Sequence, residues 1–170
     1  MNTTRSLTAS LAALLCLAFT GIAAEDRIQG PVESARSVLL AGSVNSKTRI
    51  AIDRGNDQGA VDPGKRINGV TLALAPSDAQ RDALELFLEQ QRDPSSPEYR
   101  NWLTPEQYGE RFGLSENDLA RVSSWLQSEG LALEQVARGR NWITFNGTAA
   151  QIERTFRTEL RFIEIGRAHV

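Results

Sequence analysis

Residues 139–151 read Gly-Arg-Asn-Trp-Ile-Thr-Phe-Asn-Gly-Thr-Ala-Ala-Gln, and this stretch decides the fold. Residues 142–145 are rich in aromatic and β-branched side chains, which predicts a strand. Asn146-Gly147 ends that strand because these two residues favour turns. Thr148 and Gln151 then form a capping box, in which the threonine accepts a backbone N–H and the glutamine reaches back to the cap. A strand followed directly by a helix is therefore expected here.

The same pattern occurs earlier in the chain. Residues 70–75 alternate between larger and smaller side chains, which predicts a half-buried strand. Ser77 and Gln80 form a second capping box that opens a helix. That helix should end within residues 93–97, where two prolines cannot donate to a helical ladder.

Between these two units the sequence predicts shorter helices. Thr104 and Gln107 form a third capping box, which opens a helix over residues 105–112 with proline at its first position. Gly113 is expected to end it in the left-handed conformation. Ser115 caps a longer helix that stops at Gly130, and alternating leucines predict a strand directly after it.

The order of these elements predicts an α+β fold. With a last strand around Leu160 and Phe162, the order is strand, helix, extra helices, strand, strand, helix, strand. The economical arrangement is a ferredoxin-like split βαβ repeat, with a four-stranded antiparallel sheet and helices on one face plus extra short helices. The side chains expected in its core are Leu84, Phe87, Leu88, Leu119, Val122, Leu126, Ile143, Phe145, Ile152, Phe156, Leu160 and Phe162.

Composition excludes several kinds of function. The 170 residues carry a formal charge of −2, whereas broad nucleic-acid binding needs an excess of clustered Lys and Arg. The single cysteine excludes an internal disulfide, and the single histidine, His169, makes a His-based metal cage or catalytic triad very hard to build. We therefore expect no catalytic residue, no metal ligand, no cofactor and no nucleic-acid partner in this chain.

The two ends of the chain are expected to lie outside the fold. Residues 1–24 combine a positive start, an apolar stretch and small residues before an acidic pair, which predicts a signal peptide cleaved between Ala24 and Glu25. A membrane anchor or a buried helix is less favoured, because the apolar stretch is shorter than the ~20 residues that a span needs. Residues 165–170 match no continuation of the fold, and we expect them to be a non-native or truncated tail.

Two blocks of sequence carry a resemblance to a known family. Residues 90–99, 102–108 and 111–113 resemble the first motif of the pro-kumamolisin activation domain, the propeptide of the sedolisin, or serine-carboxyl, peptidases. Residues 139–151 resemble its second motif, and residues 57–63 resemble its entry segment. The motif residues, which are also possible partner contacts, are Asp93, Pro94, Pro97, Tyr99, Trp102, Leu103, Thr104, Pro105, Phe112, Gly113, Trp142, Gly147 and Thr148.

The resemblance implies a division of the chain and a role for it. Residues 25–66 would be an extended leader with the propeptide starting at about residue 38, and residues 67–164 would be the propeptide core domain. Such a domain assists the folding of the cognate sedolisin catalytic domain, normally in the same polypeptide, and inhibits it. The protein would be secreted or periplasmic, with no membrane contact after signal cleavage. The alternative is a free-standing ferredoxin-like secreted protein that binds or inhibits a protein partner.

The catalytic residues of that family are not expected here. Its Ser-Gly-Thr-Ser motif is missing from the sequence, so the peptidase domain would lie outside this chain. Glu89 and Asp93 have the four-residue spacing of the family's acidic pair, but without a nucleophile to activate we interpret them as a solvated helix end. Trp102, Trp125 and Trp142 are candidates for partner anchors, although core packing is favoured for each.

Overall fold

The structure is a computed structural model that describes residues 24–38, 42 and 44–165. The predicted signal sequence up to residue 23, the tail beyond residue 165 and His169 lie outside the described residues. Within the described part of the chain, no helix is both long enough and apolar enough to cross a bilayer.

Five helices and five strands follow a short 3₁₀ helix at Ser34–Arg36 in the described chain. The helices are α1 (Ser46–Asp53), α2 (Asp78–Gln90), α3 (Pro105–Phe112), α4 (Glu116–Ser128) and α5 (Ala149–Phe156). The strands are β1 (Asp57–Ala60), β2 (Arg66–Ala73), β3 (Ala132–Val136), β4 (Trp142–Thr148) and β5 (Arg161–Ile163). Their order along the chain is α1 β1 β2 α2 α3 α4 β3 β4 α5 β5. The mixed α/β composition agrees with the predicted class, whereas α1 falls in a segment for which the sequence predicted an extended leader.

The strands form two small antiparallel sheets instead of one four-stranded sheet. One sheet has the order β2-β4-β3, and the other pairs β1 with β5. The predicted last strand, β5, therefore pairs with β1, and Arg161 of β5 forms a 2.7 Å ion pair with Asp57 of β1. The backbone N–H of Val61 also donates to the carbonyl of Leu160 at 2.9 Å. The hydrogen bond from Arg161 lowers the pKa of Asp57, so this contact persists at mildly acidic pH.

Local signals placed the helix starts correctly. All three capping boxes are present, with the side chains of Ser77, Thr104 and Thr148 each accepting from the third helical residue. The predicted left-handed end at Gly113 is wrong, because Gly113 has φ −83° and ψ −172° and is extended. Position 113 requires glycine for a different reason, because another segment of backbone lies close to its Cα, as described below.

The core lies between the three-stranded sheet and helices α4 and α5. The buried cluster consists of Leu114, Val122, Leu126, Leu131, Ile143, Phe145 and Ile152. Leu119, Phe156 and Leu160 are partly buried against it. Two predicted core residues are instead exposed: Leu88 lies beside the buried Phe87 but on the outer side of α2, and Phe162 lies on the outside of the β1–β5 pair.

A segment before the first regular helix is tied to the domain. Residues 24–36, here called the N-terminal strap, pass along α4 and reach α5. Asp118, which has no exposed surface, accepts hydrogen bonds from the backbone N–H groups of Arg27 at 2.6 Å and Ile28 at 3.0 Å. Ile28 and Val32 pack against the core cluster. The strap is therefore part of the folded domain.

Candidate functional site: an open sheet face and a motif corner

No helix of the described residues covers the face of the three-stranded sheet that points away from α4 and α5. It is formed by Thr71 and Ala73 of β2, Gln135 of β3, and Trp142 and Thr144 of β4, and we call it the open face. The strand register places Thr144 between Thr71 and Gln135, and Trp142 opposite Ala73. The two threonine hydroxyls lie 3.4 Å apart. These five residues carry no formal charge, and the open face has an aromatic ring at one end.

The two motif blocks meet at that aromatic end, in what we call the motif corner. Helix α3 packs so closely against the turn between β3 and β4 that its backbone approaches the backbone of the turn directly. A Cβ on Gly109 would lie 2.7 Å from the carbonyl oxygen of Arg138, and one on Gly113 would lie 2.6 Å from that of Gly139. Leu114 N–H donates to the carbonyl of Arg140 at 3.1 Å. Only glycine permits this approach, which explains the glycines at positions 109 and 113.

The motif corner contains a cavity that opens beside the open face. Its volume is about 490 Å³. Pro105 and Tyr108 of α3 form one wall, and Gln135 and Trp142 of the sheet form the other. A partner that covers the open face could therefore also insert a side chain here.

Charged side chains border the corner. Arg138 forms a 3.0 Å ion pair with Glu106, and Arg140 forms a 2.8 Å ion pair with Glu116. The pKa of Glu106 is lowered, first by the N–H of its own backbone and further by Arg138. These pairs add little stability, but they place charged side chains beside the uncharged end of the open face.

The loop before α3 presents two aromatic side chains to solvent. Trp102 is 75% exposed and Tyr99 is 37% exposed. The loop itself is held in place, because the backbone N–H of Arg100 donates to the carbonyl of Gln91 at 3.1 Å and the Gln91 side chain donates to the carbonyl of Asn101. Core packing was favoured for Trp102 from the sequence, and that interpretation is wrong. The Trp102 ring lies outside the hydrophobic core.

The remaining motif residues fall into three structural settings. Phe112, Gly113 and Gly147 are buried within the domain, and Thr104, Pro105 and Thr148 begin helices. Asp93, Pro94 and Pro97 are exposed in the loop after α2, while Leu103 and Trp142 are half-buried. At the predicted cleavage site, the backbone N–H of Ala24, next to Glu25, donates to the carbonyl of Glu110 at 3.0 Å. Their role as partner contacts stays a prediction.

The acidic pair singled out from the sequence is not arranged on one helix. Helix α2 ends at Gln90, so Asp93 lies beyond it. Asp93 accepts hydrogen bonds from the backbone N–H of Ser95 at 2.9 Å and from its hydroxyl at 2.7 Å, and these bonds lower its pKa. Asp93 is the first residue of a turn. Within the described residues, no three His, Cys, Asp or Glu side chains lie close enough together to hold a metal ion.

The two motif blocks thus form one corner of a small domain, beside a sheet face whose central residues are uncharged. The family model of the pro-kumamolisin activation domain matches residues 53–165. This range covers about two thirds of the chain, and the chain belongs to that family. The resemblance inferred from the two motif blocks is confirmed.

Curated relatives match shorter parts of the chain. Xanthomonalisin of Xanthomonas sp. (strain T-22) is 38% identical over 87 residues, which are 51% of this chain and 10% of that protein. Tripeptidyl-peptidase sed1 of Aspergillus fumigatus is 35% identical over 69 residues, 39% of this chain and 11% of that protein. Aorsin of Aspergillus oryzae is 31% identical over 68 residues, 39% of this chain and 10% of that protein. The match thus spans about a tenth of each relative.

Proposed function

We propose that this chain is the propeptide of a sedolisin-type serine peptidase, which it helps to fold and keeps inactive until maturation. The observation that carries the proposal is the family match over residues 53–165. Export through the predicted signal peptide, with cleavage after Ala24, belongs to the same proposal. A peptidase that is synthesised in the same polypeptide as its inhibitor stays inactive during synthesis and export.

The open face is the docking surface in this proposal. Its central residues Thr71 and Thr144 are small and uncharged, so a partner can approach without burying an unpaired charge. Trp142 lies at one end of the face, and tryptophan is common among the residues that dominate binding energy. The face therefore offers an uncharged centre and an aromatic anchor.

Inhibition of a peptidase by the purified chain tests the proposal. Mature tripeptidyl-peptidase sed1 and mature xanthomonalisin are suitable probe enzymes, because their precursors contain segments 35% and 38% identical to this chain. We expect saturable inhibition of at least one of them. If a large excess of the folded chain inhibits neither enzyme, the propeptide role is contradicted and the free-standing alternative is favoured.

Substituting Thr144 locates the docking surface. Thr144→Arg places a long cation at the centre of the neutral open face, and we expect the inhibition constant to rise roughly 100-fold, as for a disrupted hot spot. Gln127→Arg is the matched control, since Gln127 is exposed on α4, which packs on the opposite face of the sheet. Equal losses from both substitutions would show that added charge, and not the open face, weakens binding.

Binding should depend on pH through carboxylates. A carboxylate paired across the interface has a lowered pKa in the complex, so its contribution is present above the free pKa and is lost as the pH falls through the bound value. With ordinary values of about 3.9 for Asp and 4.3 for Glu, we expect release between about pH 5 and pH 3 and little change from pH 6 to pH 8. Inhibition constants measured across this range give the midpoint. A midpoint near 6.5 would instead identify a histidine on the peptidase.

A further inference from the structure

Strand β2 forms an edge of the three-stranded sheet and has an unpaired side. The carbonyl of Trp142 accepts from the N–H of Ala137, the residue directly after β3, so the backbone polar groups of Trp142 point away from β2. In an antiparallel pair these directions alternate, and Ala73, which lies opposite Trp142, therefore points its own N–H and C=O outward. Thr71 does the same two residues earlier. No described residue outside the sheet hydrogen-bonds to either backbone group.

A small apolar cavity lies directly under this edge. Its volume is about 220 Å³. Val70 and Leu72 of β2 line one side, while Phe145, Ile152 and Phe156 line the floor and the other side. These are core side chains or their direct neighbours. The core is therefore left uncovered at the position where a further strand would lie.

The chain's own candidate for that position is held elsewhere. Strand β5, which the sequence placed in this sheet, pairs with β1. It is fixed there by the Asp57–Arg161 ion pair and by the hydrogen bond from Val61 N–H to the Leu160 carbonyl. Its exposed Phe162 lies 4.2 Å below the ammonium of Lys65 and not in the cavity. The free edge of β2 thus has no occupant within the described chain.

The edge also lacks protection against pairing. Natural edge strands are commonly interrupted by charges, prolines or bulges, which prevent them from adding another strand. The start of β2 has such a feature, a register shift between Ile67 and Val70 with Gly69 at φ +69°. The last four residues, Val-Thr-Leu-Ala at positions 70–73, contain no charge, no proline and no register shift. This half of the edge can accept a strand.

We propose that an extended, uncharged segment of the peptidase domain adds to the β2 edge as the fourth strand of the sheet, with an aliphatic side chain in the cavity. The inference rests on the proposed function. Outward backbone groups in strand register are satisfied by another extended backbone, and a strand of alternating side chains places one of them over the apolar lining. Thr71 and Ala73 contribute their side chains to the open face and their backbones to the edge. One partner can therefore contact both surfaces.

Removing one outward N–H tests the proposal. Thr71→Pro deletes the edge donor without breaking the pairing with β4, because proline is tolerated in an edge strand where its nitrogen faces solvent. Thr71→Val measures the side-chain part of this effect, since it keeps the N–H and removes only the hydroxyl from the open face. We expect the inhibition constant for the probe peptidase to rise at least about 10-fold more for proline than for valine, the loss expected for one unmade hydrogen bond.

Hydrogen exchange provides a second measurement that does not depend on a variant. The amides of Thr71 and Ala73 should exchange rapidly in the free chain and at least about 10-fold more slowly in the complex, as expected for newly paired strand amides. Val136 on the opposite edge of the sheet is the internal control and should stay unchanged. If the parent chain inhibits but neither measurement responds, strand addition is wrong while the propeptide role stands. If the parent does not inhibit, the propeptide role itself fails.

Two other outcomes would also overturn the inference. Slow exchange of both amides in the free monomer would mean that the chain covers its own edge. A concentration-dependent dimer by light scattering that Thr71→Pro dissociates would identify a second copy of this chain as the occupant.

Discussion

Replacing Phe87 with alanine is expected to lower the free energy of unfolding by about 3–5 kcal/mol, the usual cost of removing a buried phenylalanine. Phe87 is 3% exposed. Its ring centroid lies 6.0 Å from that of Phe112 on α3, and the guanidinium of Arg111 lies 4.4 Å from the ring. The substitution removes the main apolar contact between α2 and α3. A domain of this size typically has only 5–15 kcal/mol of stability, so the variant should be close to unfolding.

Leu88→Ala is the matched control for this prediction. Leu88 is the next residue on the same helix and is 40% exposed, so its truncation should cost less than about 1 kcal/mol, as for surface substitutions generally. Urea unfolding of both variants, followed by circular dichroism, measures the difference. Equal losses would mean that α2 faces the domain with a different side from the one described.

Helix starts were predictable because their signals are local. A capping box needs only two residues three positions apart, and all three predicted boxes formed. Burial within a helix was predicted less well. Leu88 lies about 100° around the axis from Phe87, and the pattern of leucines on α2 does not show which side meets α3. That side is set by Phe112, which belongs to another helix.

Pairing over long distances could not be predicted from the sequence. The alternation around Leu160 indicated a strand, but its partner depends on whether Arg161 meets Asp57, 104 residues earlier. Gly113 shows the same limit: its role follows from the carbonyl of Gly139, which approaches from the turn between β3 and β4. The exposed Trp102 is a further case, because tryptophan suits both a core and a binding surface.

No sequence pattern predicted the strap. The residue that anchors it, Asp118, gives the second large expected effect on stability. Asp118 looks like an ordinary acidic residue in the first turn of α4, where the helix dipole favours negative charge. Its carboxylate is instead buried and accepts two backbone N–H groups of the strap, from residues 91 and 90 positions away in the sequence. The same helix end holds Asp26, whose pKa is lowered by hydrogen bonds from Ser115 and then Asn117.

Asp118→Ala is expected to detach the strap and to lower the free energy of unfolding by about 2–4 kcal/mol. Two part-buried amides lose their acceptor, and leaving even a fully buried donor unpaired costs about 1–3 kcal/mol. Asp118→Asn keeps one acceptor oxygen in place of two and should lose less. Urea unfolding gives the stability, and hydrogen exchange of the Arg27 and Ile28 amides reports on the strap directly.

Asp78→Ala supplies the comparison that isolates the strap from the helix start. Asp78 also lies in the first turn of a helix but is exposed, so its loss removes only the favourable interaction with the helix dipole, about 0.3–1 kcal/mol, and an exposed ion pair with Arg81 that adds little. If Asp118→Ala costs no more than Asp78→Ala, the buried carboxylate serves its own helix and the strap is not anchored by it. If the Asp118 variant loses several-fold more stability and its strap amides exchange freely, the domain begins at the strap, well before residue 53, where the family match starts. The stable form of the propeptide would then require the residues that directly follow the predicted signal sequence.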